Sequence, residues 1–372
     1  MHLKHDEKMN VVEIRHLSNA VFSGLIATNT GNQFGMRSFS YNQEYSALFS
    51  DLSAKRLEYQ DYVDKQLAID QNFKEYRSNG VSLAWEYEKA DIQMGGSGSE
   101  NFTLEQRAEI LDRGRVRGFE GHHIKNVANH KIHQANPDNI KFYSSREEHI
   151  ELGHDGDAHN PSDGEFINRD NMITMTNRRR VMMNEIKGLG VSAAIGFGVG
   201  VTLSAIVELS QSSMKAVDMP RLIKRSLLSG IEGAGLSSAS YVAGRGVSYA
   251  MESFFKLDPT TVVGGMINTF SVGTISAAIG VIYQLTKMRI MGMPKEMVME
   301  MAGKQATISM LSVALTSLAQ GLYGGAGGII AFAGFAFAYL GVIIKNNIHN
   351  NMLREKINAY TVEQYKPIIQ GA

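Results

Sequence analysis

The sequence predicts a mainly α-helical protein that contains one small α+β unit. Three observations support this fold class: a long N-terminal stretch without Gly or Pro, a histidine-rich central segment punctuated by glycines, and long uncharged runs in the C-terminal half. We therefore divide the 372 residues into an N-terminal helical region at 1–80, an α+β domain at 81–180, an apolar glycine-rich helical domain at 181–350 and a tail at 351–372.

Composition narrows the chemistry without identifying a partner. Lys plus Arg and Asp plus Glu number 37 each, so bulk charge favours neither a nucleic acid nor a membrane as partner. The chain has no cysteine, which excludes disulfides and thiolate zinc sites. A metal would therefore be bound by imidazole, carboxylate, amide oxygen or water. The charged N-terminus shows no typical export signal.

The N-terminal region is predicted to contain a long helix. Residues 41–78 lack Gly and Pro, and apolar residues recur there every three or four positions. This spacing predicts an amphipathic helix, with room for one break, that ends at Asn79–Gly80. Residues 1–40 show no such period and are expected to be irregular or to form a short partner-binding segment. The helix is interpreted as a scaffold or dimerisation element; the alternative is a helix that recruits a partner.

A clear helix start precedes the histidine-rich segment. Thr103 followed by Gln106 is a capping-box pattern, in which each side chain bonds to the backbone amide of the other residue. The helix should run to about Asp112 and end at Gly114.

The following segment has the order strand, loop, strand, helix. Residues 115–124 and 139–143 are predicted strands, and the intervening loop contains the turn sequence Asn136–Pro137–Asp138. Ser145 with Glu148 is a second capping box, which should start a helix at the next residue. This order is the topology of the ββα-metal unit.

Histidines concentrate in this unit, since seven of the 11 lie between His122 and His159. Clustered histidines are typical of metal binding or proton transfer. Adjacent side chains of a strand point to opposite faces, so His122 and His123 can have different functions. Two more histidines, His149 and His154, follow five positions apart in the predicted helix.

These residues resemble a known family. The sequence Gly121–His122–His123–Ile124, followed by Asn136–Pro137–Asp138–Asn139–Ile140, Glu148–His149 and His154–Asp155–Gly156, is similar to the HNH endonuclease superfamily. More narrowly, it resembles the nucleases with a Gly-His-His signature from bacterial toxins and conflict systems. The resemblance covers roughly residues 82–170.

The resemblance implies a metal-dependent phosphodiester hydrolase. One divalent ion (Mg²⁺, Mn²⁺ or Zn²⁺) and one neutral imidazole would together activate water and neutralise the scissile phosphate. It implies that His123 is the general base and that His122, His149 and His154 hold the metal. Asn139 would orient the loop that carries the base or help to bind the ion.

One spacing departs from the family pattern. Family members usually separate the last two histidines as HxxxH, whereas His149 and His154 have four residues between them. On a regular helix this spacing places the two side chains ~140° apart. If the helix ends at Gly153, His154 can turn back to the site; otherwise His159 or a water takes the third ligand position.

Basic residues accompany the motif. Arg113, Arg115, Arg117 and Lys125 are interpreted as phosphate contacts, which position a nucleic acid without reading its sequence. The alternative is a solvated basic face. DNA is the expected substrate, and RNA is the alternative.

The C-terminal half contains runs without formal charge at 188–207, 259–286 and 305–344. Each is long enough to cross a bilayer, and the last could form a hairpin that turns at Gly324–Gly328. This pattern predicts membrane helices. The alternative is a soluble, oligomerising bundle, or a soluble state that inserts later.

Together these features predict a membrane-associated, metal-dependent DNA endonuclease that acts in phage defence or interbacterial conflict. Arg178–Arg180 would hold the nuclease domain on the cytoplasmic side of the bacterial inner membrane; a soluble protein, or one delivered into a target cell, is the alternative. The competing function is a membrane-perturbing or membrane-anchored interaction protein with a degenerate nuclease module. A homo-oligomer and an immunity or sensor partner are compatible with either function.

Overall fold

The computed structural model describes residues 2–157, 159–211 and 218–323, together with isolated positions between 334 and 360. Over these residues the chain is mainly helical with one two-stranded antiparallel sheet, which confirms the predicted fold class.

The helices and strands follow one another along the chain with short connections. In chain order they are α1 (His2–Ile69), α2 (Arg77–Gln93), α3 (Leu104–Arg113), β1 (Glu120–His123), β2 (Ile140–Tyr143), α4 (Arg146–Gly153), α5 (Arg169–Gln211), α6 (Met219–Phe254), α7 (Val262–Ile290) and α8 (Lys295–Tyr323), with 3₁₀ turns at Lys131–His133 and Pro137–Asn139.

The chain divides into two compact units. One unit, Ser38–Asn184, contains the histidine motif that resembles a nuclease and is called the nuclease unit after that resemblance. The other, called the apolar unit, combines Met1–Arg37 with Glu185–Ala372. Both α1 and α5 contribute residues to each unit, so neither helix belongs to one unit alone.

Helix α1 differs from the prediction at both ends. It begins at His2, so the expectation of an irregular segment at 1–40 was wrong. Residues 20–30 are buried within the apolar unit, apart from the half-buried Asn29. Packing against the rest of this unit therefore stabilises a helix that the composition of the segment does not predict. At the other end, α1 stops at Ile69 and α2 begins at Arg77, so the one break that the prediction allowed lies between these residues.

The predicted helix end at Asn79–Gly80 lies inside α2 instead. Gly80 is buried, and a Cβ atom there would lie 2.6 Å from the carbonyl oxygen of Gln134. This glycine therefore permits a close approach between a helix and a loop and does not terminate the helix.

Helix α2 lies between the two parts of the nuclease-unit core. On one side Trp85 stacks on Phe142 of β2, with ring centroids 3.8 Å apart. On the other side Leu83 and Tyr87 pack in a cluster with Leu52 and Ile173. The small sheet is therefore covered by a helix that is itself buried.

The local signals around the sheet are largely confirmed. Thr103 and Gln106 form both bonds of the capping box, and Gly114 ends α3 with φ +78°. In β1 the strand is shorter than predicted, because Gly118 adopts φ +87° and extended pairing starts only at Glu120.

Helix α4 begins at Arg146 as predicted, with the Ser145 hydroxyl accepting from the amide of Glu148. The second half of the expected capping box is absent from the described contacts of Ser145. The Glu148 carboxylate instead accepts hydrogen bonds from the amide and hydroxyl of Ser144.

Three of the described helices are long and apolar enough to cross a membrane. They are Arg169–Leu209, Val262–Ile290 and Lys295–Tyr323. The predicted hairpin turn at Gly324–Gly328 lies outside the described residues.

Candidate active site

Three histidines converge beside the sheet. His122 extends from β1, His149 lies in the first turn of α4, and His154 follows the end of that helix. One ring nitrogen from each lies within 4.8 Å of the others. The histidine triad, as we call His122, His149 and His154, is thus a group that could hold one metal ion.

The end of α4 places His154 in the triad. The last helical residue is Gly153, and His154 leaves the helix with φ −133° and ψ 18°. Its ring centroid lies 4.8 Å from that of His122 and 5.2 Å from that of His149. The four-residue spacing is therefore compatible with convergence, and His159 is not part of the triad.

Gly153 also provides space for the triad. A Cβ atom at this position would lie 3.1 Å from Cδ2 of His149 and 3.2 Å from Nδ1 of His122. These separations are tight, so the absence of a side chain lets the imidazoles approach the helix end.

Oxygen acceptors orient two rings of the triad. Nδ1 of His149 lies 2.7 Å from a carboxylate oxygen of Glu120, and Nδ1 of His154 donates to the carbonyl oxygen of Asn160 at 2.9 Å. Because the proton of each ring is on Nδ1, where it is donated in a hydrogen bond, each Nε2 retains a lone pair for a metal. This donor set fits a divalent ion, and its imidazole ligands favour Mn²⁺ or Zn²⁺ over Mg²⁺.

His122 completes the donor set as a neutral imidazole. Its Nδ1 atom lies 3.0 Å from Nε2 of His149. Burial, followed by the proximity of His149 and His154, lowers the pKa of His122 to about 3. A neutral ring is the form that binds metals, so His122 is in the ligand form at neutral pH.

His123 points to the other face of β1 and has a different environment. Its Nε2 atom donates to the backbone carbonyl oxygen of Gln134 at 3.0 Å, which leaves the lone pair on Nδ1. Burial, reinforced by the charge of Arg77, lowers the pKa of His123 to about 4 even though the bond to Gln134 acts in the opposite direction. His123 is therefore a neutral, oriented proton acceptor at pH 7.

The carbonyl that orients His123 is itself held in place. The side chain of Gln134 accepts from the amide of Tyr76 and donates to the carbonyl oxygens of Phe73 and Lys131. Gly80 lies directly against this carbonyl. Helix α2 and the segment before it thus determine the tautomer of His123.

Asn139 closes the loop between the strands. Its side-chain oxygen accepts from the amide of Lys125 at 2.7 Å, and its amide nitrogen donates to the carbonyl oxygens of Lys125 and His133. The side chain is fully buried and lies outside the triad. Of the two predicted functions for Asn139, this geometry favours orienting the loop.

The predicted phosphate contacts are less closely grouped. Lys125 lies just after β1 and pairs with Asp163 at 3.4 Å. Arg113 pairs with acidic residues of its own helix, while Arg115 and Arg117 are exposed. Among the described contacts, none joins Arg113, Arg115 or Arg117 to the histidines.

Sequence reasoning missed several supporting residues. Glu120 precedes His122 by two positions, and the period of two in a strand could have identified it as a neighbour of the triad. The fully buried ion pair between Arg169 and Glu88, at 2.9 Å, has no local signal because 81 positions separate its partners. Arg169 also donates to the carbonyl oxygen of Pro137, and so supports the turn before β2.

A second missed contact holds the same turn from α1. Arg56 forms an ion pair with Asp138 at 2.6 Å and donates a hydrogen bond to Asn136. The Asn-Pro-Asp sequence is thus fixed by arginines from two helices distant in sequence.

Comparison with known proteins supports the resemblance to Gly-His-His nucleases. Residues 70–144 match the model of a family described as GHH signature containing HNH/Endo VII superfamily nuclease toxins. The matched segment contains the His122–His123 pair and ends before His149 and His154. Searches of curated proteins and of solved structures give no significant match. Residues 70–144 are therefore similar to the GHH-signature nuclease toxins of the HNH/Endo VII superfamily.

Proposed function

We propose that the protein is a metal-dependent endonuclease that hydrolyses DNA as a membrane-associated toxin or defence effector. One observation carries the catalytic part of the proposal. Two adjacent residues of β1 point to opposite faces, so that His122 faces a group of imidazoles and His123 is a neutral base with its Nδ1 lone pair available.

In this proposal His122, His149 and His154 hold one divalent ion: Mg²⁺, Mn²⁺ or Zn²⁺. When bound, the ion supplies positive charge that stabilises the phosphate in the transition state. Glu120 and Asn160 keep the Nε2 lone pairs of their histidine partners directed at the ion.

His123 acts as the general base on the other side of the strand. Its Nδ1 atom removes a proton from the water whose oxygen attacks phosphorus, and the bond from phosphorus to the leaving sugar oxygen breaks. The carbonyl of Gln134 stabilises the imidazolium that forms, because it already accepts a hydrogen bond from Nε2–H. Asn139 keeps the loop after His123 in register.

Lys125 is the best placed of the four predicted phosphate contacts, since it lies two residues after the end of β1 and Asn139 bonds to both its backbone amide and its carbonyl oxygen. We assign Arg113, Arg115 and Arg117 to more distant phosphates of the same strand of nucleic acid. Such contacts would give affinity without sequence specificity.

The cellular setting follows from the apolar unit. The three candidate spans support membrane association, and we propose the bacterial inner membrane with the nuclease unit in the cytoplasm, where DNA is accessible. An immunity or sensor protein and a homo-oligomer are the additional partners of this proposal. The competing function, a membrane-perturbing protein with an inactive nuclease module, predicts no cleavage with any metal.

Nicking of supercoiled plasmid by the purified full-length protein tests the catalytic proposal. We expect cleavage with at least one of Mg²⁺, Mn²⁺ and Zn²⁺, and a loss of about 10²–10⁴-fold in His123→Ala with metal binding retained. His122→Ala should lose metal binding and cleavage together. His159→Ala, outside the triad, is the matched control. Wild-type nicking by His123→Ala would refute the assignment of the base.

Two further measurements address substrate and location. Parallel reactions with single-stranded RNA of matched length show whether DNA is preferred, and equal cleavage would remove DNA from the proposal. Carbonate extraction of cell membranes should leave the protein in the pellet. Recovery in the wash would contradict integral membrane association.

A further inference from the structure

The apolar unit has an inverted distribution of polarity. Large apolar side chains such as Ile231, Phe270 and Leu315 are about half exposed, at 62%, 45% and 48%. The buried faces of α6, α7 and α8 are instead rich in Gly, Ser, Thr and Gln. A water-soluble bundle shows the opposite pattern, whereas helices packed in lipid bury small and polar residues.

A polar stripe, defined here by its ten buried residues, runs along the facing sides of α7 and α8. Its members are Thr269, Gly273, Ser276, Gly280 and Gln284 on α7, and Gln305, Ser309, Ser312, Thr316 and Gln320 on α8. Their spacing of three or four residues keeps each set on one helix face. At ~1.5 Å per residue, each set extends over about 22 Å, most of the ~30 Å hydrocarbon layer.

Helix α1 lies along this stripe. An added Cβ atom on Gly24 would lie 3.5 Å from Cβ of Ser276, and one on Gly280 would lie 3.4 Å from Cβ of Ala20. Closer to Arg37, where the part of α1 in the apolar unit ends, the side-chain amide of Asn32 donates to the Thr269 hydroxyl at 2.7 Å. The three contacts show that α1 covers the stripe over most of its length.

Several polar atoms of the stripe have no hydrogen-bond partner among the described residues. They are both amide atoms of Gln305, the side-chain oxygen of Gln284 and the hydroxyl of Ser276, and these three residues are at most 1% exposed. Buried polar groups in native proteins are nearly always paired, and where the protein offers no partner an ordered water does so.

We propose that the polar stripe lines a hydrated path across the bilayer for water and small monovalent ions, and that α1 occupies and closes it. This inference rests on the membrane part of the proposed function and is independent of the nuclease. The stripe carries no formal charge, so ions of either sign should pass. The path opens when α1 leaves the stripe.

A steric substitution under α1 tests the proposal. Gly24→Leu places a side chain against Ser276 and should displace α1. Gly303→Leu adds the same side chain to α8, where no atom of the described residues lies within 4 Å of the new Cβ. The full-length variants are inserted into phosphatidylcholine vesicles loaded with KCl. Vesicles that contain Gly24→Leu should release K⁺ at least tenfold faster than vesicles that contain the wild type or Gly303→Leu. Equal release by the two variants would refute the path.

A disulfide tests the same contact without added bulk. The chain lacks cysteine, and the 3.5 Å between Cβ positions 24 and 276 suits a disulfide. The double variant Gly24→Cys, Ser276→Cys should form this disulfide on oxidation in vesicles. Because the disulfide holds α1 on the polar stripe, we expect K⁺ release at the rate of protein-free vesicles. Failure to cross-link would refute the position of α1. K⁺ release from the oxidised vesicles above the protein-free rate would refute closure by this helix.

Two controls separate this proposal from the others. Flotation of the vesicles shows whether the protein is inserted, so a failure of membrane association is recognised before any flux is measured. Plasmid nicking by each variant, measured in detergent, reports the nuclease unit alone and should remain at the wild-type level throughout.

Discussion

Nδ1 of His149 lies 2.7 Å from Oε2 of Glu120, and this contact joins the first turn of α4 to the start of β1. A carboxylate in this position fixes the imidazole tautomer and increases its basicity towards a metal. The acid is close in sequence to His122 and distant from the histidine that it orients.

Replacement of Glu120 should therefore weaken metal binding. We expect Glu120→Ala to reduce Mn²⁺ or Zn²⁺ affinity by about 10–100-fold, and Glu120→Gln to have a smaller effect because its side-chain oxygen still accepts a hydrogen bond. Isothermal titration of the full-length protein measures both affinities. Glu151→Gln, an exposed acid on α4, is the control. Unchanged affinity in Glu120→Ala would show that the carboxylate does not support the site.

A methyl group on Gly80 should impair the base without affecting the metal. The new Cβ would lie 2.6 Å from the Gln134 carbonyl oxygen, so that the acceptor of the His123 proton must shift. We expect kcat to fall about 10–100-fold in Gly80→Ala, since misplacement of about 1 Å can cost ~10²-fold. Single-turnover nicking measures the rate, and titration should give wild-type metal affinity. Ser78→Ala, exposed in the same turn, should behave as wild type.

Loss of the buried Arg169 should destabilise the nuclease unit. Arg169→Met leaves Glu88 as an unpaired charge at a site with no solvent exposure, and the expected cost is about 3–5 kcal/mol of unfolding free energy. Trp85, the single tryptophan, lies in the core of this unit and reports its unfolding in urea by fluorescence. Arg169→Met combined with Glu88→Leu should recover much of the loss. Arg113→Met, at an exposed position, is the control.

Acid should destabilise the metal-free protein through His123. The folded-state pKa of about 4 lies below the ordinary value of 6.5, so the unfolded chain takes up the proton first. The contribution of the neutral His123 ring to the free energy of unfolding is complete above pH 6.5. It is lost as the pH falls towards 4, at about 1.4 kcal/mol per pH unit.

Urea unfolding with a chelator at pH 7.5 and pH 5, followed by Trp85 fluorescence, measures this loss. His123→Gln should show a flatter pH dependence than wild type, while exposed His159→Gln should retain the wild-type dependence. Identical pH dependence in wild type and His123→Gln would show that the imidazole is not desolvated as the structure indicates.

The sequence allowed the site to be predicted where the signals are local. Thr103, Gly114 and Ser145 mark helix ends through bonds within four residues, and these positions were predicted correctly. The histidine motif was recognisable for the same reason, since strand alternation assigns two faces to His122 and His123. The position of His154 depended on where α4 ends, which the sequence left open.

The features that were not predicted depend on contacts between distant residues. From the sequence, Gly80 is predicted to end a helix, and only the structure shows that it lies against the backbone of Gln134. Arg169 and Glu88 are ordinary charged residues in sequence and become a buried pair only in the folded chain. Residues 20–32 of α1 have no helical period of their own because they are enclosed by neighbouring helices, so no face needs to be polar.

The contribution of α1 and α5 to both units determines what can be separated from this protein. Leu52 on α1 and Ile173 on α5 belong to the same core cluster as Leu83 and Tyr87 of α2. A fragment cut at the boundaries of the family match, 70–144, would keep His123 but lose two of the three candidate metal ligands and one side of its core. The segment that contains the complete candidate site is therefore longer than the family match, and it lies within the compact unit Ser38–Asn184.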